Sequence, residues 1–304
     1  LRTGRANSWW HTFVQGDTSF VVGATTARQF KSWIQVSGEG QSVRLKIVNG
    51  ATGENIAVNA GDEIMSERWF LDFNEDLTTG LARFGAFLPS RPNSHAIPEA
   101  GWNSWYQLWS SVDEEAVRAN AVLAEEILSP LSEDPLRIVI DDGWQRSWGH
   151  WQPNEKFPSG MDGLARDLKA DGFKTGIWLA PLLVEEDSPL AQENPDWFVE
   201  GAYFGHLGEG NMLVLDVTHP DAAEYIHGSV QRIVGWGYDL LKIDFLFAGT
   251  FEGGRNETMT GMQAYDRALA LIRDAAGPDV VLLAVGAPPV AGFKYVDAWR
   301  IGPD

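Results

Sequence analysis

Lys242 and Asp244 sit inside an apolar run, Tyr-Asp-Leu-Leu-Lys-Ile-Asp-Phe-Leu-Phe from Tyr238 to Phe247. Read as a strand buried on both faces, the run has a side-chain period of two, so the ammonium and the carboxylate share one face about 6 to 7 Å apart. Either charge buried alone costs several kcal/mol. The pair is therefore a structural ion pair or a carboxylate held ionised beside a cation. On the second reading Lys242 lowers the pKa of Asp244 and keeps it ready to attack. Two carboxylates flanking a bound sugar, one ionised and one protonated, are the minimum for glycoside hydrolysis with retention. Asp244 suits the first role. Asp304, behind the stiff Gly302-Pro303 turn and without an adjacent cation, suits the second, although such a residue is also an ordinary helix cap.

Asp141-Asp142-Gly143-Trp144 closes another buried strand with two consecutive carboxylates. Asp-Asp-Gly is common turn chemistry. Adjacent acceptors are also what vicinal sugar hydroxyls require, with Trp105 or Trp178 offering a flat apolar face to the ring. A divalent metal is the competing use, but no third carboxylate or His stands nearby, and the 6 His are scattered without metal-helix spacing. No metal or other cofactor is expected: no glycine fingerprint for a dinucleotide follows the first strand, and no phosphate loop occurs. Ser104 lacks the surroundings of a nucleophile elbow. With 0 Cys, thiolate metal sites, disulfides and cysteine nucleophiles are excluded.

These residues need elements to hold them. From 8 to 88 the pattern has period two with Gly and Asn punctuation, giving strands near 20–23, 30–36, 42–48, 55–58 and 68–73, an antiparallel region that suits part of a β-sandwich. Residues 80–95, with Pro89 and Pro92, read as a linker. Beyond it strands and helices alternate. Strands are expected at 101–108, 136–141, 173–180, 238–247, 280–285 and 298–301, and helices at 112–128 behind the N-cap Asp113, 162–171, 220–234 and 260–276. Repeated βα units imply a parallel sheet covered on both faces. Trp105, Asp141, Asp142, Trp178, Asp244 and Asp304 all fall at C-terminal strand ends, which converge on one mouth in a barrel but not in an open sheet. The expected fold is α/β, a (β/α)8 TIM-type barrel over 96–304 with its first six strands present and its C-terminal part missing, preceded by a β-sandwich fragment and linker over 1–95.

The net charge of -19 argues against nucleic acid as a partner, and no apolar run reaches the length of a membrane span. A homo-oligomer is possible. The chain starts at Leu1, so the N-terminus is expected to be cut, and a cytoplasmic location is expected over a secreted one.

Gly-Trp-Asn-Ser-Trp-Tyr (101–106), Ile-Asp-Asp-Gly-Trp (140–144), Gly-Ile-Trp-Leu-Ala-Pro (176–181), Lys-Ile-Asp-Phe-Leu-Phe-Ala-Gly (242–249) and Trp-Arg-Ile-Gly-Pro-Asp (299–304) resemble, in order, motifs of the α-galactosidases of glycoside hydrolase family 36, in the clan shared with family 27. The resemblance implies a retaining exo-α-galactosidase acting on α-galactoside oligosaccharides without a cofactor. It implies Asp244 as nucleophile after barrel strand four and Asp304 as acid/base after strand six. Asp141 and Asp142 would hold the O4 and O6 side of galactose, Trp105 and Trp178 would line the pocket, and Lys242 and Arg300 would bind hydroxyls. Asn103 and Val285 stand where many relatives carry cysteine. A galactosyl transglycosylase or α-N-acetylgalactosaminidase of the same clan, and a non-catalytic galactose-binding fragment, are the alternatives.

Overall fold

A computed structural model of the chain describes residues 4–9, 11–14, 19–39, 42–50, 53–54, 56–74, 76–91, 100–205 and 210–302. Six strands come first: β1 (Gly4–Trp9), β2 (His11–Val14), β3 (Ser19–Ala24), β4 (Ser32–Glu39), β5 (Ser42–Asn49) and β6 (Trp69–Asn74), followed by helix α1 (Leu77–Phe87). They pair antiparallel into two three-stranded sheets, β1-β4-β5 and β2-β3-β6. Val22 of one sheet and Ile34 and Val36 of the other form one buried cluster, with Phe20, Leu45, Ile47 and Trp69 packed around it. The strand expected at 55–58 is not formed: 56–58 carry no strand and 55 lies outside the described residues.

The linker expected over 80–95 is a helix in its first part. Asp76 caps α1, accepting from the N–H groups of Thr78 at 3.3 Å and Thr79 at 2.8 Å. The helix stops at Phe87 because Leu88 precedes Pro89, which disfavours helical backbone in the residue before it. The proline signal was correct about the stop and silent about the eleven residues ahead of it.

The rest of the chain runs β7 (Gly101–Asn103), α2 (Trp105–Leu108), α3 (Glu114–Leu128), β8 (Arg137–Ile140), the hairpin β9 (Gln145–Ser147) and β10 (His150–Pro153), α4 (Gly160–Ala170), β11 (Lys174–Leu179), β12 (Leu183–Glu185), α5 (Pro189–Glu193), β13 (Phe198–Gly205), β14 (Asn211–Leu215), α6 (Pro220–Gly235), β15 (Leu240–Ile243), α7 (Gly261–Ala276), β16 (Val281–Ala284), α8 (Pro289–Gly292) and β17 (Ala298–Trp299). Strands β7, β8, β11, β15, β16 and β17 lie side by side in chain order, every pair parallel. A doubly wound sheet reverses its order at a switch point, and this one does not. Residues from β7, β8, β15, β16 and β17 line one common cavity of about 300 Å³, so the sheet is curled. This is an α/β fold whose parallel sheet fits part of a (β/α)8 barrel.

The helices coat the sheet through one apolar core. α7 shows the local logic most fully: Thr260 and Gln263 form a reciprocal capping box, Arg273 sits in the last turn, and Met262, Tyr265, Leu269 and Ile272 face inward. Two tethers join the front sheets to this body. Lys31 Nζ pairs with Glu252 at 2.8 Å, and Thr260 Oγ1 donates to the carbonyl of Gln29 at 2.5 Å.

Candidate active site

Three neighbouring strands deliver polar side chains to the same end of the sheet. β8 stops at Ile140 and is followed by Asp141 and Asp142; β11 carries Trp178 beside Lys242 of β15; Asp244 follows the last residue of β15. Gly143 lets the chain turn away at once: its φ is +112°, and a Cβ there would lie 2.5 Å from the carbonyl oxygen of Ser110.

Asp141, 2% exposed, ties these strands together. Its Oδ2 accepts from Lys242 Nζ at 2.6 Å and from Asn103 Nδ2 at 2.7 Å, and its Oδ1 accepts from the N–H of Asp142 at 3.0 Å. Its own N–H donates to Ser104 Oγ at 2.9 Å. Lys242 therefore pairs with Asp141, which corrects its expected partnership with Asp244. The period-two alternation of β15 breaks at one residue. β15 ends at Ile243, and Phe245 turns into left-handed backbone with φ of 52°, so the carboxylate between them leaves the strand direction. Such a backbone is strained for a bulky residue, by roughly 1–3 kcal/mol. Packing holds it: Phe245 meets the rings of Trp148 at 5.1 Å, Phe204 at 5.6 Å and Phe247 at 6.2 Å.

In this position Asp244 Oδ2 accepts from Trp178 Nε1 at 3.1 Å and Oδ1 from the N–H of Phe245 at 2.7 Å. Burial pushes the Asp244 carboxyl above its ordinary value, and the two hydrogen bonds and the Lys242 charge only partly oppose it. The direction is the reverse of that expected from a contacting Lys242.

Asp142 is half-buried, its Oδ1 accepting from Gln145 Nε2 at 2.5 Å and Trp148 Nε1 at 3.2 Å. Burial, aided by the negative charge of Asp141, pushes its carboxyl up to about 6. A carboxyl raised on folding contributes its full stability while protonated and loses it as pH rises from its ordinary 3.8 through about 6. Asp142→Asn should flatten that part of the pH-stability curve, as urea unfolding at stepped pH would record.

The two tryptophans differ. Trp178 is 1% exposed, enclosed by Trp148 at 5.1 Å and Trp151 at 6.0 Å, so it presents an indole N–H to Asp244 and no open ring face. Trp105 is half-buried and tilted against exposed Trp109 at 4.9 Å, and its N–H is held by Asn103 Oδ1 at 2.8 Å. A stacking face is thus left to Trp105. Arg300 follows β17, its backbone N–H donating to Ala284 O at 3.0 Å, and lines a cavity of about 720 Å³ with Phe247 and Trp299. Asp304 lies outside the described residues. Among the described residues no group of three or more His, Asp or Glu could hold a metal ion.

Asn103, Ser104, Gln145 and Trp148 were not anticipated as the groups that hold Asp141 and Asp142. In sequence Ser104 presents itself only as a candidate nucleophile, whereas its hydroxyl oxygen accepts from the Asp141 N–H. The spacing of Trp144, Trp148 and Trp151 directly after Asp-Asp-Gly was the available sign that a tryptophan cage surrounds the carboxylates.

Known proteins carry the same frame. A family model described as Melibiase matches residues 111–249, a span that holds Asp141, Asp142, Trp178, Lys242 and Asp244 but not Trp105, Arg300 or Asp304. The α-galactosidase AgaA of Geobacillus stearothermophilus is 31% identical over 140 residues, which cover 43% of this chain and 18% of the relative. An isomalto-dextranase of Arthrobacter globiformis is 31% identical over 152 residues, covering 46% of this chain and 22% of that protein. The structure of an α-galactosidase from Thermus thermophilus in complex with stachyose aligns with a TM-score of 0.76 and 27% identity over 98% of this chain and 59% of that one. The matched portions thus span less than two thirds of these relatives. The likeness to family 36 α-galactosidases that the motifs suggested is borne out by these matches. Among the described residues no helix is long and apolar enough to cross a membrane.

Proposed function

From this likeness we propose that the protein carrying this chain removes terminal α-linked galactose from oligosaccharides by double displacement. The observation that carries the reading is the convergence of Asp141 and Asp142 after β8 with Asp244 after β15, on either side of β11, cross-linked through Lys242 and Trp178. Asp244 attacks the anomeric carbon as Asp304 protonates the departing oxygen, giving a β-galactosyl ester on Asp244; water, deprotonated by Asp304, then releases galactose with retention. The bonds from Trp178 Nε1 and the Phe245 N–H orient the attacking carboxylate and favour its charged form against burial.

Asp141 and Asp142 accept from the O4 and O6 hydroxyls. Among the described residues Lys242 gives one N–H to Asp141 and keeps two, and with Arg300 it serves as a hydroxyl donor. Trp105 supplies the stacking face, and no cofactor is needed. In this reading the six parallel strands are the first six of a (β/α)8 barrel over 96–304, and the two antiparallel sheets within 1–95 are part of a sandwich in front of it.

The isomalto-dextranase relative favours one second reading, action on an α-linked glucoside, which differs from galactose in the orientation of O4 facing the aspartate pair. Proton NMR of raffinose and isomaltose digests separates them. Galactose released from raffinose should appear first as the α-anomer. Initial β-galactose would exclude retention, and glucose from isomaltose with raffinose untouched would move the assignment to the glucoside.

A further inference from the structure

A cavity of about 830 Å³ is lined by strand β13 and by the segment that follows Asp244, and Asp244 is not among its lining residues. Phe204 of that strand packs on Phe245 and Phe247, while its neighbour Tyr203, directed oppositely by strand alternation, lines the cavity. The floor is Arg255, carried by the segment that follows Asp244 and pinned to β13 by the paired backbone bonds of Glu200 and Gly254 at 2.9 and 3.1 Å.

The Arg255 side chain is 2% exposed, and among the described residues neither its Nε nor its Nη1 has a hydrogen-bond partner. Asp216 Oδ1 stands 4.0 Å from Nε, near enough for charge compensation and too far for a hydrogen bond. Asp216 is already engaged, accepting from the Thr218 N–H at 2.9 Å and the Asn256 N–H at 2.7 Å. Buried guanidinium N–H groups left unmade are expensive, and Arg255 is one of the residues that line a space large enough for a ligand.

The wall chemistry narrows what that ligand is. Glu186, Asp196, Glu200 and Asp216 outnumber Arg255, so an anion meets a net negative lining, while a cation meets Arg255 at the floor. A neutral hydroxyl satisfies both, because its oxygen accepts from Arg255 while its hydrogen donates to a carboxylate. Phe198 and Tyr203 add apolar ring surface of the kind that sugar C–H faces cover. We propose that this cavity is a second saccharide-binding site for a neutral oligosaccharide, anchored by Arg255 and separate from the site at Asp244.

Calorimetric titration of raffinose into the Asp244→Asn chain tests it, since that variant binds at Asp244 without turnover. Two classes of site are expected. Arg255→Met should weaken one class at least tenfold, Arg255→Lys should restore part of it, and Asp142→Asn should weaken only the other. Should Arg255→Met fail to show a cooperative thermal transition, Tyr203→Ala on the exposed rim should weaken the same class. A single class unaffected by both Arg255→Met and Tyr203→Ala overturns the inference and leaves the assignment of Asp244 standing. A single class lost on changing Arg255 upholds it and removes the support for sugar binding at Asp244.

Discussion

Asp244→Gly should lose turnover of an aryl α-galactoside by a factor on the order of 10⁴ to 10⁶, the scale on which a covalent nucleophile is missed. Azide should restore part of the rate by filling the space the carboxylate left, attacking the anomeric carbon and yielding a β-galactosyl azide. The setting of Asp244 makes the test clean. Its two oxygens are engaged by Trp178 Nε1 and the backbone of Phe245, neither of which depends on the carboxylate for packing, because Trp178 is enclosed by tryptophans and Phe245 by aromatic rings. Folding should therefore survive the change, with near-ultraviolet circular dichroism unaltered. A folded variant that azide does not rescue would reject the role.

Lys242→Met should destabilise the fold by about 3–5 kcal/mol, because it strands the Asp141 carboxylate, whose remaining partners are the side chain of Asn103 and the backbone of Asp142. The double change Lys242→Met with Asp141→Asn should recover much of that loss, since the penalty belongs to the unpaired charge rather than to the pair itself. Urea unfolding gives both values. Equal losses for the single and double variants would show that the strand ends do not depend on the ion pair.

The parallel strands from β8 to β16 were legible as short apolar runs bounded by turn residues, whereas the strand expected over 101–108 stops at Asn103 and gives way to helix α2; the cap Asp113 marked one helix start from side-chain chemistry alone. The β12–β14 sheet between β11 and α6 was not legible: its strands mix exposed and buried positions without a clean period of two, and Gly201 and a register shift in β13 break the alternation. The same blindness hid the cavity floored by Arg255, which exists only because that insertion meets the segment after Asp244. Within the candidate site the acidic residues were visible as types. Their pairing was not, since a single left-handed residue, Phe245, separates Asp244 from Lys242 and hands the lysine to a carboxylate 101 positions away in sequence. No propensity argument places a phenylalanine at positive φ.

The central claim is that Asp244 bonds to the sugar. Inactivation with 2-deoxy-2-fluoro-α-galactosyl fluoride, followed by mass spectrometry of the digested protein, tests it most directly. The predicted result is one hexosyl adduct on the peptide containing Lys242 to Phe247, absent from Asp244→Asn. An adduct on the peptide containing Asp141 and Asp142, or steady turnover of raffinose with no adduct on any peptide, would contradict it.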